Sequence, residues 1–295
     1  MRGVIPAPAW RSPPDDSTRW WQWPTVLSLD APAVTCLWQW LFAAIAGVRI
    51  GWPEYTVVAV SVWLAYVGDR WFEGWRLDPG SIRTARHRFY HQWRWPIAAI
   101  SAVVFAADVM IAFLRLSHRE FLAGAILLGP TLLYVLSHQL IHRDRRWRAP
   151  KELCIAVLLA GGASVFVLAS PGVSLRVLWA PIALFAALCF SNVALIAGWE
   201  LDVDTIHGQE SLARRFQAGR LVSRILPLVL VACAAALASH LPGYGRVAAH
   251  CAAASALLLV LVDRFESRIG RQLARVLADV VLLTPLLPLL RGLAS

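Results

Sequence analysis

Two acidic pairs stand out in this chain: Asp69-x-x-x-Glu73 and Glu200-x-x-x-Asp204. A spacing of four places both carboxylates of a pair on one helix face, about one turn apart. Each pair sits at the end of a strongly apolar, membrane-length segment. A carboxylate beside a membrane is costly and needs a role. Hard oxygen ligands suit magnesium and, through it, a diphosphate. Such a site also needs cationic groups to share the phosphate charge. Arg83, Arg86 and Arg88 follow the first pair, and Lys151 opens a later apolar segment. Tyr66 precedes the first pair and Asn192 the second. The candidate catalytic and metal-binding residues are therefore Asp69, Glu73, Glu200 and Asp204. The candidate substrate-binding residues are Arg83, Arg86, Arg88, Lys151, Asn192 and Tyr66.

The elements that position them are membrane helices. The chain has 295 residues, 58% of them hydrophobic, and a mean hydropathy of +0.58. An apolar run of roughly 20 residues crosses a bilayer as a helix. Such spans are expected at 32–49, 54–70, 96–115, 120–141, 152–170, 175–198, 220–240, 245–262 and 274–291. The expected fold class is thus an all-α polytopic membrane protein of nine helices. Residues 1–31 form a cytoplasmic N-terminal segment and residues 32–295 one transmembrane domain. Pro24, Pro53, Pro96, Pro150, Pro171 and Pro242 fall near span ends, where proline is tolerated. Pro130, Pro181, Pro227 and Pro285 fall inside spans, where proline kinks a helix.

The net charge of +10 is a topology signal first. With the N-terminus inside, the inner segments carry 22 of the 28 Lys and Arg, and the outer ones 6. That asymmetry is the positive-inside pattern, and it predicts N inside and C outside. No DNA-binding motif accompanies the charge, so a nucleic-acid partner is not expected. The first 25 residues hold no apolar core of a cleavable signal, and insertion is expected to use the first span. Trp20, Trp21 and Trp23 precede that span as interfacial anchors. The five cysteines all fall in spans without CxxC spacing and read as small core residues.

With this topology the long loops at 71–95, 142–151, 199–219 and 263–273 face the cytoplasm. Both acidic pairs lie there too, at the inner ends of the second and sixth spans. This arrangement resembles the UbiA superfamily of intramembrane prenyltransferases. Its members carry an NDxxDxxxD-type motif after helix two and a DxxxD-type motif after helix six. Asp69 and Glu73 look like the last two acids of the first motif, and Glu200 and Asp204 like the second. The chain departs from the pattern: Ala65 and Tyr66 stand at the Asn and Asp positions, and each pair has one Glu in place of Asp. The resemblance implies a magnesium-dependent site for an isoprenyl diphosphate, with the tail between helices. It also implies transfer of the prenyl group to an acceptor, with release of pyrophosphate. A terpene cyclase uses the same ionisation and closes the cation on its own chain.

Ionising an allylic diphosphate makes a carbocation, which aromatic faces stabilise. Trp63, Trp71, Trp75 and Trp199 flank the acidic pairs. They equally suit interfacial anchoring. Two histidine pairs, His87-x-x-x-His91 and His138-x-x-x-His142, have a spacing that suits a metal on a helix face. Membrane di-iron enzymes use about eight clustered histidines with adjacent pairs, which this chain lacks. A non-enzymatic carrier is the remaining class. Asp108 and Asp279 lie within spans, away from the expected cytoplasmic site, and intramembrane acids often mark ion paths.

Overall fold

The structure is a computed structural model that describes residues 18–76, 85–139, 150–201 and 219–294. A helical turn at Trp20–Gln22 leads into α1 (Trp23–Val26). Then follow α2 (Asp30–Ala46), α3 (Trp52–Arg76), α4 (Ala85–Gln92) and α5 (Arg94–Arg115). The chain continues with α6 (His118–Gln139), α7 (Lys151–Ala169) and α8 (Leu175–Trp199). The last elements are α9 (Gly219–His240), α10 (Gly243–Ile269), α11 (Arg271–Val280) and α12 (Leu286–Ala294). Among the described residues there is no strand.

Each of the nine expected spans overlaps described helix, the first running past the end of α2, the fourth running beyond the described residues and the ninth divided among three helical elements. By length and composition, however, seven described helices can cross a membrane, or eight if Trp20–Val26 and Asp30–Ala46 count as one bent span. The helix at Trp52–Arg76 is not among them. Its charges explain why: Glu54, Asp69 and Arg70 dilute an otherwise apolar stretch.

Local signals set the ends. Ser117 and Glu120 form a reciprocal cap at the start of α6: the Ser117 amide donates to Glu120 Oε2 at 2.8 Å, and the Glu120 amide donates to Ser117 Oγ at 3.4 Å. Gly47, at φ +66°, ends α2 in the left-handed region. Pro130, Pro181 and Pro227 lie inside α6, α8 and α9. The last span breaks before Pro285 into α11, a short 3-10 turn and α12. The break exposes carbonyls that lipid cannot satisfy. Trp38 Nε1 donates to Leu282 O at 3.1 Å, and Ser255 Oγ donates to Val281 O at 2.7 Å.

The core runs along α2, α7, α8, α9, α10 and α11. Apolar burial gives no net drive between helices in lipid, so close packing of small residues must supply the contact. Ala248, Ala252 and Ala256 recur every four residues on α10 and are all fully buried. At Gly161 on α7 a methyl would stand 2.9 Å from Leu127 Cδ1 of α6, so the Leu127 side chain packs directly over the glycine and would have to shift for any larger residue. Trp38 stacks on Phe185 at 4.5 Å, and Phe42 completes the cluster between α2 and α8.

Helix α5 is polarised the other way. Its apolar residues Val103, Phe113 and Leu114 are exposed, as a lipid-facing helix requires, and Asp108 is its buried residue. Asp108 Oδ2 accepts from Ser61 Oγ of α3 at 3.1 Å. This contact is polar glue between two helices.

Candidate functional site

Helices that alternate in direction place every second terminus on one side. The start of α2, the end of α3, the start of α7, the end of α8 and the start of α11 therefore share one end of the bundle. Polar side chains converge there. Asn192 of α8 is only 5% exposed, and its Nδ2 donates to Asp279 Oδ1 of α11 at 3.0 Å. Asp30 at the start of α2 lies in electrostatic range of Asp279. One turn before Asp279 on the same helix face, Arg275 Nη1 donates to Glu200 Oε1 at 2.5 Å.

The first half of the chain closes the other side. Tyr66 of α3 lies in electrostatic range of Asp30, Asp279 and Cys189, which ties α3 to α2, α8 and α11. Arg70 lies one turn further along, with its guanidinium 5.7 Å from the Tyr66 ring centre. It is buried, and its Nη1 donates to Thr25 O and Ser28 Oγ, both at 2.5 Å. Ser28 adopts φ +61°, rare for a residue with a side chain, at the sharp bend between α1 and α2. Its hydroxyl also bonds Tyr90 OH at 2.9 Å. The Ser28 contacts to Arg70 and Tyr90 hold the strained bend in place. The N-terminal turn is thus fastened across α3 and α4, and Gln22 Nε2 reaches Gln272 Oε1 of α11 at 2.7 Å.

Charge around Glu200 is lopsided. Burial would push its carboxyl up, but Arg275, Arg86 and Lys151 together outweigh burial and hold it below the ordinary carboxylate range. Arg86 stands on α4, in the first half of the chain, and Lys151 opens α7. Cations from three separate segments therefore act on the one described acid of the second motif, Arg275 by direct contact.

The expected site residues divide as follows. Tyr66, Asp69, Asn192, Glu200, Arg86 and Lys151 all lie near this end of the bundle. Asp69 is half-buried on α3. Arg88 lies on α4, but two helical positions are about 200° apart, so it cannot share the Arg86 face. Glu73 belongs to α3, with its side chain outside the description. Arg83 and Asp204 lie outside the described residues, as does His142. The side chains of His87 and His138 are likewise outside the description. His91 Nδ1 lies 3.1 Å from the Gly74 carbonyl, a helix-to-helix bond.

The flanking tryptophans act as clamps. Trp63 Nε1 donates to Leu27 O at 3.0 Å and Trp71 Nε1 to Arg94 O at 2.9 Å. Trp75 packs on Trp95 and under the Arg94 guanidinium. Trp199 faces away from the site, donating to Asp263 Oδ1 at 2.8 Å.

Three residues of the cluster were not among the candidates. Asp30 directly precedes the first span, and Arg275 reads as one more positive-inside arginine. Asp279, expected to be unrelated to the cytoplasmic site, joins it through Asn192. A topological signal was available for Asp30 and Arg275, which lie at span ends on the side that holds the acidic pairs, whereas Asp279 lies one turn further inside its span.

Magnesium fits this donor set unevenly. Among the described residues no group of three or more His, Cys, Asp or Glu is arranged for a metal. Asp69 is a hard oxygen ligand on the side of the first motif. Glu200 fits poorly, because its Oε1 is already engaged by the Arg275 guanidinium, a cation that a divalent ion there would have to stand beside. A doubly charged ion about 5 Å from a guanidinium is repelled by roughly 7 kcal/mol at an effective dielectric of about 20.

No protein-family model and no curated protein sequence matches the chain. Among solved structures it resembles the apo structure of a UbiA homologue from Aeropyrum pernix K1. The TM-score is 0.58 and the identity 17%, over 88% of this chain and 98% of that chain. The likeness shows the fold: a bundle of apolar, membrane-length helices arranged as in that UbiA homologue.

Proposed function

We propose that this chain, built on the fold of a UbiA homologue, is a divergent intramembrane prenyltransferase acting on an isoprenyl diphosphate. The observation that supports it best is that Arg86 and Lys151, from two other segments, lie in electrostatic range of Glu200. Arg86, which follows the first acidic motif, Lys151 at the start of α7, and Glu200 of the second motif lie toward one end of the bundle. The diphosphate lies at that end, on the cytoplasmic side, with the N-terminus inside. The prenyl tail runs from there into the apolar bundle.

The reaction is an ionisation followed by capture. The C1–O bond of the allylic diphosphate breaks, and its electron pair leaves with pyrophosphate. An electron pair of the acceptor closes on C1, and the acceptor loses a proton. The cations of the site take up the charge that develops on the leaving group, which lowers the barrier. Asp69, with Glu73 and Asp204, would hold magnesium, which supplies further neutralisation of the diphosphate when bound. Asn192 and Tyr66 line the inner side of the site.

The test is incubation of purified full-length protein with magnesium and prenyl diphosphates of increasing length. Pyrophosphate release and product mass are then measured. Release is expected, and product mass separates transfer from cyclisation. Asp69→Asn and Asp204→Asn are expected to slow release by on the order of 100-fold or more with folding retained. His138→Ala is expected to matter little. No release at any chain length, or loss in His138→Ala with Asp69→Asn active, ends this reading.

A further inference from the structure

We propose that Arg275 forms a direct anion site at the end of α8, where it holds a phosphate group in place of a metal ion on Glu200. The ligand class is a diphosphate or its pyrophosphate product, and that identification rests on the prenyl-diphosphate reading above. In the acidic motif after helix six, a carboxylate is expected to carry a cation. Here Glu200 already has one, supplied covalently by the last span.

The geometry carries the argument. Arg275 Nη1 is bonded to Glu200 Oε1 at 2.5 Å, which fixes the plane of the guanidinium. Its Nε is buried and has no hydrogen-bond partner. A buried N–H without an acceptor is rare and costly, and it points to a ligand that supplies one. The Nε edge of a guanidinium matches the spacing of phosphate oxygens. Arg86 and Lys151 act on the same carboxylate, so Glu200 is shared among three cations and does not neutralise Arg275 alone. The other charged groups that act on Arg275 are Asp279 and Asp30. Asp279 Oδ1 accepts from Asn192, and neither acid hydrogen-bonds Arg275 Nε. Glu200 is then a positioning residue that orients the guanidinium, and the phosphate oxygen accepts from Arg275 Nε.

This assignment predicts an effect of opposite sign from a metal site. If Glu200 held magnesium, removing its charge would weaken binding. If Glu200 positions Arg275, neutralising it leaves a cation with one less competitor. The experiment is calorimetric titration of the purified full-length protein with inorganic pyrophosphate, in excess EDTA and again in magnesium. Saturable binding is expected in EDTA. Arg275→Gln should weaken it at least 10-fold, and Arg275→Lys should fall between. Glu200→Gln should bind at least as tightly as the parent. Thermal unfolding of each variant checks folding, and Arg275→Lys retains the charge should Arg275→Gln unfold. Binding that disappears in EDTA, or a Glu200→Gln variant that loses affinity as Arg275→Gln does, overturns the proposal. The two readings fail separately. Turnover of prenyl diphosphates with no pyrophosphate binding in EDTA sinks only the arginine site. EDTA-resistant, Arg275-dependent binding without turnover sinks only prenyl transfer.

Discussion

Arg275 in the first turns of the last span lies 2.5 Å from Glu200 at the end of α8, 75 residues earlier. Both side chains are about four-fifths buried. Removing one partner of a fully buried ion pair costs about 3–5 kcal/mol, because the other charge is left uncompensated. The remaining exposure here, and the other two cations near Glu200, reduce that figure. Arg275→Ala is expected to lower stability by about 1–3 kcal/mol. Thermal unfolding in detergent measures it, and an unchanged midpoint would refute the coupling.

The same pair sets an acid limb. The folded Glu200 carboxyl is held below its ordinary value of 4.5, so its ionised form stabilises the fold. That contribution is complete above the unfolded value and is lost as pH falls through the lowered folded value. Unfolding midpoints should therefore drop more steeply below about pH 4.5 in the parent than in Glu200→Gln. Parallel acid limbs in the two proteins would argue against it.

Asn192 and Asp279 should behave as one unit. Asn192→Ala leaves Asp279 without its amide donor, and Asp279→Ala leaves the buried amide without an acceptor. Their effects on stability are expected to be non-additive, with a coupling of about 1–2 kcal/mol in a double-mutant cycle. Additive losses would mean that the bond contributes nothing.

Asp108 offers a contrast. Its carboxyl bonds Ser61 across the α3–α5 contact, on a helix whose apolar residues face outward. Asp108→Asn keeps the hydrogen-bond acceptor and is expected to leave pyrophosphate release unchanged. Asp108→Ala should cost about 1 kcal/mol of stability. A carrier that moves ions past this acid would instead lose gradient-driven flux in Asp108→Asn, which a vesicle uptake assay reads directly.

Orientation is testable without activity. The asymmetry of Lys and Arg predicts that reporters fused after residue 80 and after residue 295 report opposite sides of the membrane. Reports from the same side would contradict the odd number of crossings.

The sequence by itself determined the architecture to a large degree. Apolar runs longer than a bilayer leave helices as the available answer, because backbone groups in lipid must be satisfied within the segment. The nine runs accordingly appear as helical segments, and Pro130, Pro181 and Pro227 stand inside helices as expected. The alternation of direction also fixed which ends share a side, and hence that Asp69, Asn192, Glu200 and Lys151 lie at one end. Tertiary structure alone decided how those ends are turned toward each other. Rotation about a helix axis is set by packing with neighbours, and an almost uniformly apolar helix such as α7 or α8 carries little amphipathic signal to reveal it. So Arg275, indistinguishable in sequence from the other inner arginines, becomes the partner of Glu200. Asp279, apparently buried away from the site, is drawn into it by Asn192. Trp199, beside an acidic motif in sequence, faces Asp263 instead. One position along a helix turns a side chain by about 100°, and sequence adjacency says nothing about that angle.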